Sequence, residues 1–289
     1  MTVRPSPATG GVPAAARAER RVLVDGHVHL HACFDLRTFL DSAAANFQRA
    51  AEDAGLPGDT LGCLCLVDFG PRLTFVELRE RAGAEVCDGW TVDTLDEESA
   101  LSLTRTDGAH LLVLAGQQIH TRDGLEVLAL ATAQRFQDGL GLEETVDRVL
   151  AAGAVAVVPW GFGKWWLGRG KRVARLIERA PPGLFLGDNA GRPEPGPRSG
   201  LFDVAAERGV RVLPGTDPLP FRRSAELPGR YGFALPDGLD PRRPAEGLRR
   251  VLLSATTQPR IFGRRARPLR FLRDQTMMNL RKYVGGPVA

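Results

Sequence analysis

Three histidines in alternate positions carry the strongest chemical signal in this sequence. They lie in residues 25–31, DGHVHLH, and they are three of only five histidines among 289 residues. Residues two apart in an extended chain point to the same side, so His27 and His29 can present two imidazoles to one cation, and His31 continues the same parity. The alternative is a strand end whose polar side chains form only local hydrogen bonds.

The elements that must position these histidines are predicted from hydrophobic runs. Short apolar runs typical of buried strands occur at 22–24, 61–69, 154–158, 183–186 and 210–213. Stretches with helical spacing lie between them, at 34–54, 143–152, 171–179 and 202–208. This alternation of strand and helix predicts an α/β fold with parallel βα units, arranged as an open sheet or as a closed barrel.

The remaining segments give the expected domain organisation. Residues 1–18 are rich in Pro, Ala and Gly without periodicity, which predicts a disordered N-terminal arm. Four short β-prone runs separated by turns predict a small antiparallel β insertion over residues 86–131. Residues 19–289 are expected to form one domain, and it ends in Arg-rich helices within residues 240–289.

The Asp-Gly-His-x-His motif at Asp25–His29 resembles the opening motif of the amidohydrolase and PHP (polymerase and histidinol phosphatase) families of metal-dependent hydrolases. The resemblance implies a TIM-like (β/α) barrel that binds divalent metals at the carboxyl ends of its strands. It extends over roughly residues 22–220, in the order of the PHP elements.

The later motifs depart from the family pattern. Asp68 is followed by Phe69 where the family has a histidine, and Gln118 replaces its metal-bridging glutamate. Asp217 is retained in the closing motif, but Leu219 stands where a second ligand would be. The histidines are too few for a full trinuclear ligand set.

The side chains that remain at predicted strand ends suit one metal ion. The predicted metal ligands are His27, His29, Asp188 and Asp217. Two imidazoles and one or two carboxylates suffice for a single Zn²⁺, Mn²⁺ or Fe²⁺ with an open position for water. Asp217 is a ligand or the general base that takes the proton of this water. Asp68 and His120 are weaker candidate ligands.

A second distinctive segment is residues 159–172, PWGFGKWWLGRGKR, which follows a predicted strand and opens a helix. Its Gly-rich turn and cationic side chains suit a phosphate or carboxylate, so Lys164 and Arg169 are predicted to contact a substrate anion. Lys164 is also a candidate catalytic residue, with the carboxylated lysine of some amidohydrolases as a less favoured role. Trp160 could stack on a planar part of the substrate, or it could fill space in the hydrophobic core. Arg192 could bind the substrate anion, or it could be a solvated loop residue.

The charge is unevenly distributed although the formal net charge is only +4. Residues 240–289 hold eleven Arg and one Lys against three acidic residues. This pattern indicates either an anionic partner, such as a phosphorylated substrate, a nucleic acid or a membrane surface, or simply solvated helix faces.

The overall composition narrows the class of protein. With 43% hydrophobic and 25% charged residues, the chain is neither collagen-like, nor a coiled coil, nor wholly disordered. It contains no apolar run of about 18 residues and no apolar N-terminal segment of signal-peptide type. The four cysteines form no CxxC pair and are expected to be free thiols. These features predict a soluble cytoplasmic protein.

Together these observations predict a metal-dependent hydrolase in which one divalent metal ion activates water against a small anionic substrate, such as a phosphoester. Two alternatives stay open. One is a multinuclear phosphoesterase with unusual ligands. The other is a non-catalytic PHP-like barrel that serves as a regulatory or interaction protein with an anionic partner.

Overall fold

A computed structural model describes residues 20–196, 198–236 and 238–284. The arm predicted for residues 1–18 lies outside this range. The strands of the described chain are β1 (Val22–Val28), β2 (Leu61–Asp68), β3 (Ala84–Cys87), β4 (Trp90–Thr94), β5 (Ala100–Arg105), β6 (His110–His120), β7 (Glu126–Leu130), β8 (Val155–Pro159), β9 (Leu184–Asn189), β10 (Val212–Gly215), β11 (Tyr231–Ala234) and β12 (Arg260–Gly263). The helices are α1 (Leu36–Asp53), α2 (Thr74–Arg79), α3 (Leu142–Ala151), α4 (Gly168–Arg179), α5 (Leu201–Glu207), α6 (Pro244–Ser254) and α7 (Pro268–Val284), with a 3-10 turn at Arg222–Glu226.

The main sheet has the strand order β10-β9-β8-β7-β6-β2-β1-β11-β12. Strands β1, β2 and β6 are parallel neighbours, and so are β8, β9 and β10. Strand β7 is antiparallel to both β6 and β8. All six parallel strands therefore run in the same direction, and their carboxyl ends lie along one edge of the sheet.

Strand β10, at one end of this sheet, passes directly beside β1 and β11 near its other end. The amide of Asp217, two residues beyond β10, donates a hydrogen bond of 2.8 Å to the carbonyl of His27. A Cβ atom on Gly215 would lie only 2.3 Å from the backbone nitrogen of His27, so glycine is required for this close approach. The result is a nearly closed, barrel-like sheet of nine strands.

The sheet is mixed, which corrects the expectation of an all-parallel TIM-like barrel. Residues 121–125 are all that separate β6 from β7, and this connection is too short for the crossover that parallel strands need. Strands β11 and β12, which follow β1 in the sheet, are also antiparallel to their neighbours. The described chain is therefore a mixed α/β fold in which strands dominate.

The β-rich segment predicted for residues 86–131 divides into two parts. Strands β3, β4 and β5 form an antiparallel extension that leaves the main sheet at β6. Strands β6 and β7 instead belong to the barrel-like sheet itself. The length of β6 explains this arrangement, since its first half pairs with β5 and its second half with β7.

The hydrophobic core has an interior and an exterior layer. Alternate residues of the strands, such as Val24 and Cys63, fill the interior, whereas Leu23 and Leu64 face the outer helices. Side chains of α6 pack into the interior cluster, and Arg249 of this helix donates to the carbonyl of Ala131, just after β7. Helix α6 therefore covers the end of the sheet at which the parallel strands begin. The opposite edge, where the carboxyl ends of these strands lie, remains available for polar side chains.

Candidate metal centre

The structure brings His27 and His29 together at the carboxyl end of β1. Their Nε2 atoms lie 3.0 Å apart, and each residue is only 5% exposed. The alternation of an extended chain produces this arrangement, because Val28 between them points outward into the exterior core. Two imidazole nitrogens that face one point in a buried setting are a suitable pair of metal ligands.

The third member of the group is Asp217, on the loop that follows β10. Its Oδ1 atom lies 3.6 Å from Nε2 of both His27 and His29. The possible ligand atoms of the three residues all lie within 4.8 Å of one another. The backbone of Asp217 has a φ of 45°, a left-handed conformation that aspartate tolerates better than most residues and that is typical of functional sites.

A backbone contact fixes the orientation of His29. Its Nδ1 atom lies 2.8 Å from the carbonyl oxygen of Val67 on β2. A carbonyl only accepts hydrogen bonds, so Nδ1 carries the proton and Nε2 holds a lone pair in the neutral ring. Burial, together with the neighbouring His27, lowers the pKa of His29 to about 3. The imidazole is therefore neutral at physiological pH, as a metal ligand must be.

The carboxylate of Asp217 is oriented by Asn189 at the end of β9. The Asn189 amide nitrogen donates to Oδ2 of Asp217 at 3.0 Å and to the carbonyl of Trp160 at 3.0 Å. Burial acts to raise the pKa of Asp217, but the neighbouring His27 and Lys164 outweigh it, and the pKa lies below its usual value. The group is thus an ionised carboxylate with one oxygen facing the two imidazoles.

Asp25 of β1 binds Thr216, which follows β10, and so links the two segments that carry the candidate metal ligands. This fully buried carboxylate accepts hydrogen bonds from the amide of Thr216 at 2.8 Å, the hydroxyl of Thr216 at 2.6 Å and the amide of Gly229 at 2.9 Å. Burial raises the pKa of Asp25 to about 7, although these hydrogen bonds oppose the shift. Asp25 fixes Thr216 and hence its neighbour Asp217. Sequence reasoning recognised Asp25 in the opening motif but gave it no role.

A second row of polar groups lies beside the centre on β6 and β7. Gln118 Oε1 is 3.2 Å from His27 Nε2, and Gln118 Nε2 is 3.5 Å from His120 Nε2. Glu126, directly opposite His120 in the antiparallel pair, forms an ion pair with Lys164. The structure thus places Lys164 next to the centre. The sequence alone gave no role to Glu126, although the antiparallel register of β6 and β7 puts it at the edge where the parallel strands end.

Asp188, predicted as a metal ligand, is outside the group of three. Its carboxylate accepts hydrogen bonds from Nε and Nη2 of Arg192, both at 2.7 Å, and from the hydroxyl of Tyr231 at 2.8 Å. Arg192, predicted to contact the substrate, is only 3% exposed and is held by this pair. Both residues therefore belong to a buried network that joins β9 to β11.

The other predicted site residues lie around this edge in different roles. Asp68 accepts from the amide of Phe75, in the first turn of α2, at 3.1 Å, and burial raises the pKa of this carboxyl. The Trp160 ring packs against the exterior core, and its carbonyl accepts from Asn189. Arg169 is exposed and donates to the carbonyl of Gly163 at 2.9 Å. The Nε2 atom of His31 lies 2.8 Å from the carbonyl oxygen of Pro218.

Fold and site together define an α/β protein with a barrel-like sheet and a buried group that could hold a metal ion at the carboxyl ends of its strands. No known family model and no curated protein matches the chain. The fold is similar to that in the crystal structure of PsfC from Pseudomonas syringae PB-5123, with a TM-score of 0.52 and 15% sequence identity over 90% of this chain and 97% of that chain. None of the helices in the described part of the chain is long and apolar enough to cross a bilayer.

Proposed function

We propose that this protein is a metal-dependent hydrolase that uses one divalent cation and acts on a small anionic substrate, with phosphoesters as the preferred class. The observation that carries the proposal is the convergence of His27, His29 and Asp217 on one buried point at the edge where the parallel strands end. Buried groups of this kind are costly to assemble without a ligand, because each desolvated polar atom loses its contacts with water.

The donor set fits a transition metal. Two ligands bound to one ion at about 2.1 Å lie roughly 3.0 to 3.5 Å apart, and the two Nε2 atoms are 3.0 Å apart. Two imidazoles and a carboxylate suit Zn²⁺, Mn²⁺ or Fe²⁺, and three protein ligands leave a position for water. The amide oxygen of Gln118 lies beside His27 and is a weaker donor than the glutamate of the family pattern, which favours one ion over several.

When bound here, a divalent cation would lower the pKa of a water ligand to about 7 and would polarise a phosphoryl or carbonyl oxygen of the substrate. Asp217 is an ionised carboxylate, so it can bind the ion through Oδ1. Its Oδ2 atom, held by Asn189, could accept the proton of the attacking water. Lys164 brings a positive charge to the same edge, where it would stabilise an anionic substrate while Glu126 holds it in place.

The proposal is tested first by metal content. Protein purified without chelators should contain close to one equivalent of a transition metal by inductively coupled plasma mass spectrometry, and His29→Ala should lose most of it. His110→Gln is the matched control, since His110 lies at the opposite end of β6 and contacts Ser102. Less than a few tenths of an equivalent in the wild type, unaffected by His29→Ala, would refute the metal centre.

Catalysis is tested separately, with 4-nitrophenyl phosphate, bis(4-nitrophenyl) phosphate and a 4-nitroanilide as substrates. Metal-dependent release of nitrophenol that is lost in His29→Ala and Asp217→Asn would support a phosphoesterase. Hydrolysis of only the anilide would contradict the preference for phosphoesters. Metal binding without turnover of any of the three would favour the non-catalytic alternative.

A further inference from the structure

An arginine-lined cleft borders the loop that carries Asp217. Its volume is about 630 Å³, and its walls come from α1, β12, the segment before α7, and α7 itself. Seven arginines and three aspartates line it. The excess of positive charge in one concave space is unusual, since like charges repel at short distance unless a counter-charge is present.

Most of these arginines have no acidic partner among the residues that the structure describes. Arg265 pairs with Asp188 and Glu194, and Arg270 pairs with Asp274. Within the described ranges, the other five form no ion pair with a carboxylate: Arg49, Arg230, Arg260, Arg264 and Arg267. The cleft therefore holds several guanidinium groups whose charge is available to a ligand.

The pKa of Arg270 reflects the crowding of positive charge in the cleft. Burial, and the proximity of Arg230 and Arg273, lower the pKa of this guanidinium, although its ion pair with Asp274 opposes the shift.

Part of the remaining lining is apolar and sets the kind of ligand. Ala50, Ala54, Leu227 and Phe262 contribute hydrophobic surface to the same cleft. A volume of this size is typical of sites for small organic molecules, and it is too confined for a folded macromolecule. The planar guanidinium fork binds phosphate or carboxylate through paired hydrogen bonds. Seven arginines favour a phosphate head group over a halide or a single carboxylate, because phosphate carries more negative charge and more acceptor oxygens.

We propose that this cleft binds a small organic phosphate, with its head group on the arginines and its apolar body against α1 and β12. This inference goes beyond the proposed hydrolase activity because binding here requires no metal. Asp217 lines the cleft and also belongs to the metal group, so the occupant would lie next to the candidate centre.

The test is isothermal titration calorimetry on the full chain, treated with chelator, with phenyl phosphate and inorganic phosphate as probes at constant ionic strength. We expect phenyl phosphate to bind more tightly than inorganic phosphate, because only it reaches the apolar wall. Arg230→Gln and Arg267→Gln should each weaken phenyl phosphate binding by about tenfold or more, the loss expected for one charge-assisted contact. Arg250→Gln is the matched control, since Arg250 is exposed on α6 outside the cleft and its substitution removes the same charge.

His29→Ala separates this proposal from the hydrolase proposal. Unchanged phenyl phosphate affinity in His29→Ala supports an independent cleft site, even if the metal centre proves wrong. Three results would overturn the proposal: no binding to the wild type, an equal loss in Arg250→Gln, or a loss in His29→Ala but not in the cleft variants. Binding of a single-stranded oligonucleotide that depends on the cleft arginines, without binding of phenyl phosphate, would also overturn it and would indicate a nucleic-acid surface instead.

Discussion

The side chain of Asn189 donates a hydrogen bond of 3.0 Å to Oδ2 of Asp217, and this contact decides which oxygen of the carboxylate faces the two histidines. Asn189 ends β9 and is paired in register with Gly215 of β10, so neighbouring parallel strands build the contact. The Oδ1 atom of Asp217 is left 3.6 Å from each imidazole. Asn189 is therefore a positioning residue for the candidate metal centre.

Asn189→Ala should weaken metal binding by about 10- to 100-fold, the usual cost of losing a group that orients a metal ligand. The physical reason is that the Asp217 carboxylate is then free to rotate away from the imidazoles. Metal affinity is measured by competition with a chromophoric chelator. Thermal unfolding of the metal-free protein serves as the control for a general loss of structure. Unchanged metal affinity in Asn189→Ala would show that Asp217 is held by other contacts.

Asp188→Asn should retain the metal, whereas Asp217→Asn should lose it. The reason is that the Asp188 carboxylate is occupied by Arg192 and Tyr231 and does not face the imidazoles. The two variants make the same chemical change near the carboxyl ends of the neighbouring strands β9 and β10, so each controls for the other. Metal content by mass spectrometry gives the answer, and loss of metal from both would restore Asp188 as a candidate ligand.

Arg192→Met should destabilise the fold by about 3 kcal/mol, because the buried Asp188 carboxylate loses the guanidinium that donates two hydrogen bonds to it and keeps only the longer contact with Arg265. The double variant Asp188→Leu with Arg192→Met should be less destabilised than Arg192→Met alone, since the buried carboxylate is then absent and Arg265 still pairs with Glu194. The free energy of unfolding is measured in urea. A double variant that loses the sum of the single effects would argue against this coupling.

Asp25→Ala should destabilise the protein by about 3 kcal/mol or more, because three donors from Thr216 and Gly229 lose their buried acceptor. Thr216→Val removes one of these hydrogen bonds and should cost about 1 kcal/mol. Urea unfolding measures both. A smaller effect of Asp25→Ala than of Thr216→Val would contradict the role assigned to Asp25.

Lys164→Met should lower kcat/KM for a phosphoester by about tenfold or more, with the metal content unchanged, because it removes a positive charge next to the centre. Lys171→Met, in the exposed first turns of α4, makes the same change away from the centre and should have no effect. Equal rates in the two variants would exclude a role for Lys164 in substrate binding or catalysis.

The sequence by itself determined the local features of this protein. Alternation along residues 27–29 placed His27 and His29 on the same side as each other, and the rhythm of apolar runs predicted β1, β2, β8, β9 and β10. Alternation alone does not decide which face of the sheet they occupy, because the pairing of β1 with β2 shifts register between Asp25 and Val28. Both signals depend on residues close together in the chain, where backbone geometry alone sets the direction of a side chain. The predicted helices at 34–54 and 143–152 are present for the same reason, as α1 and α3.

Only the tertiary structure decided which carboxylate joins the histidines. Asp188 and Asp217 both follow predicted strands, and nothing local distinguishes them. The difference comes from partners distant in sequence: Tyr231, on the unpredicted strand β11, holds Asp188, whereas Asp25 anchors the loop that carries Asp217. Such contacts arise from the order of strands in the sheet and from the closure of β10 on β1. These long-range pairings are specified by packing over the whole domain, and no short window of sequence encodes them.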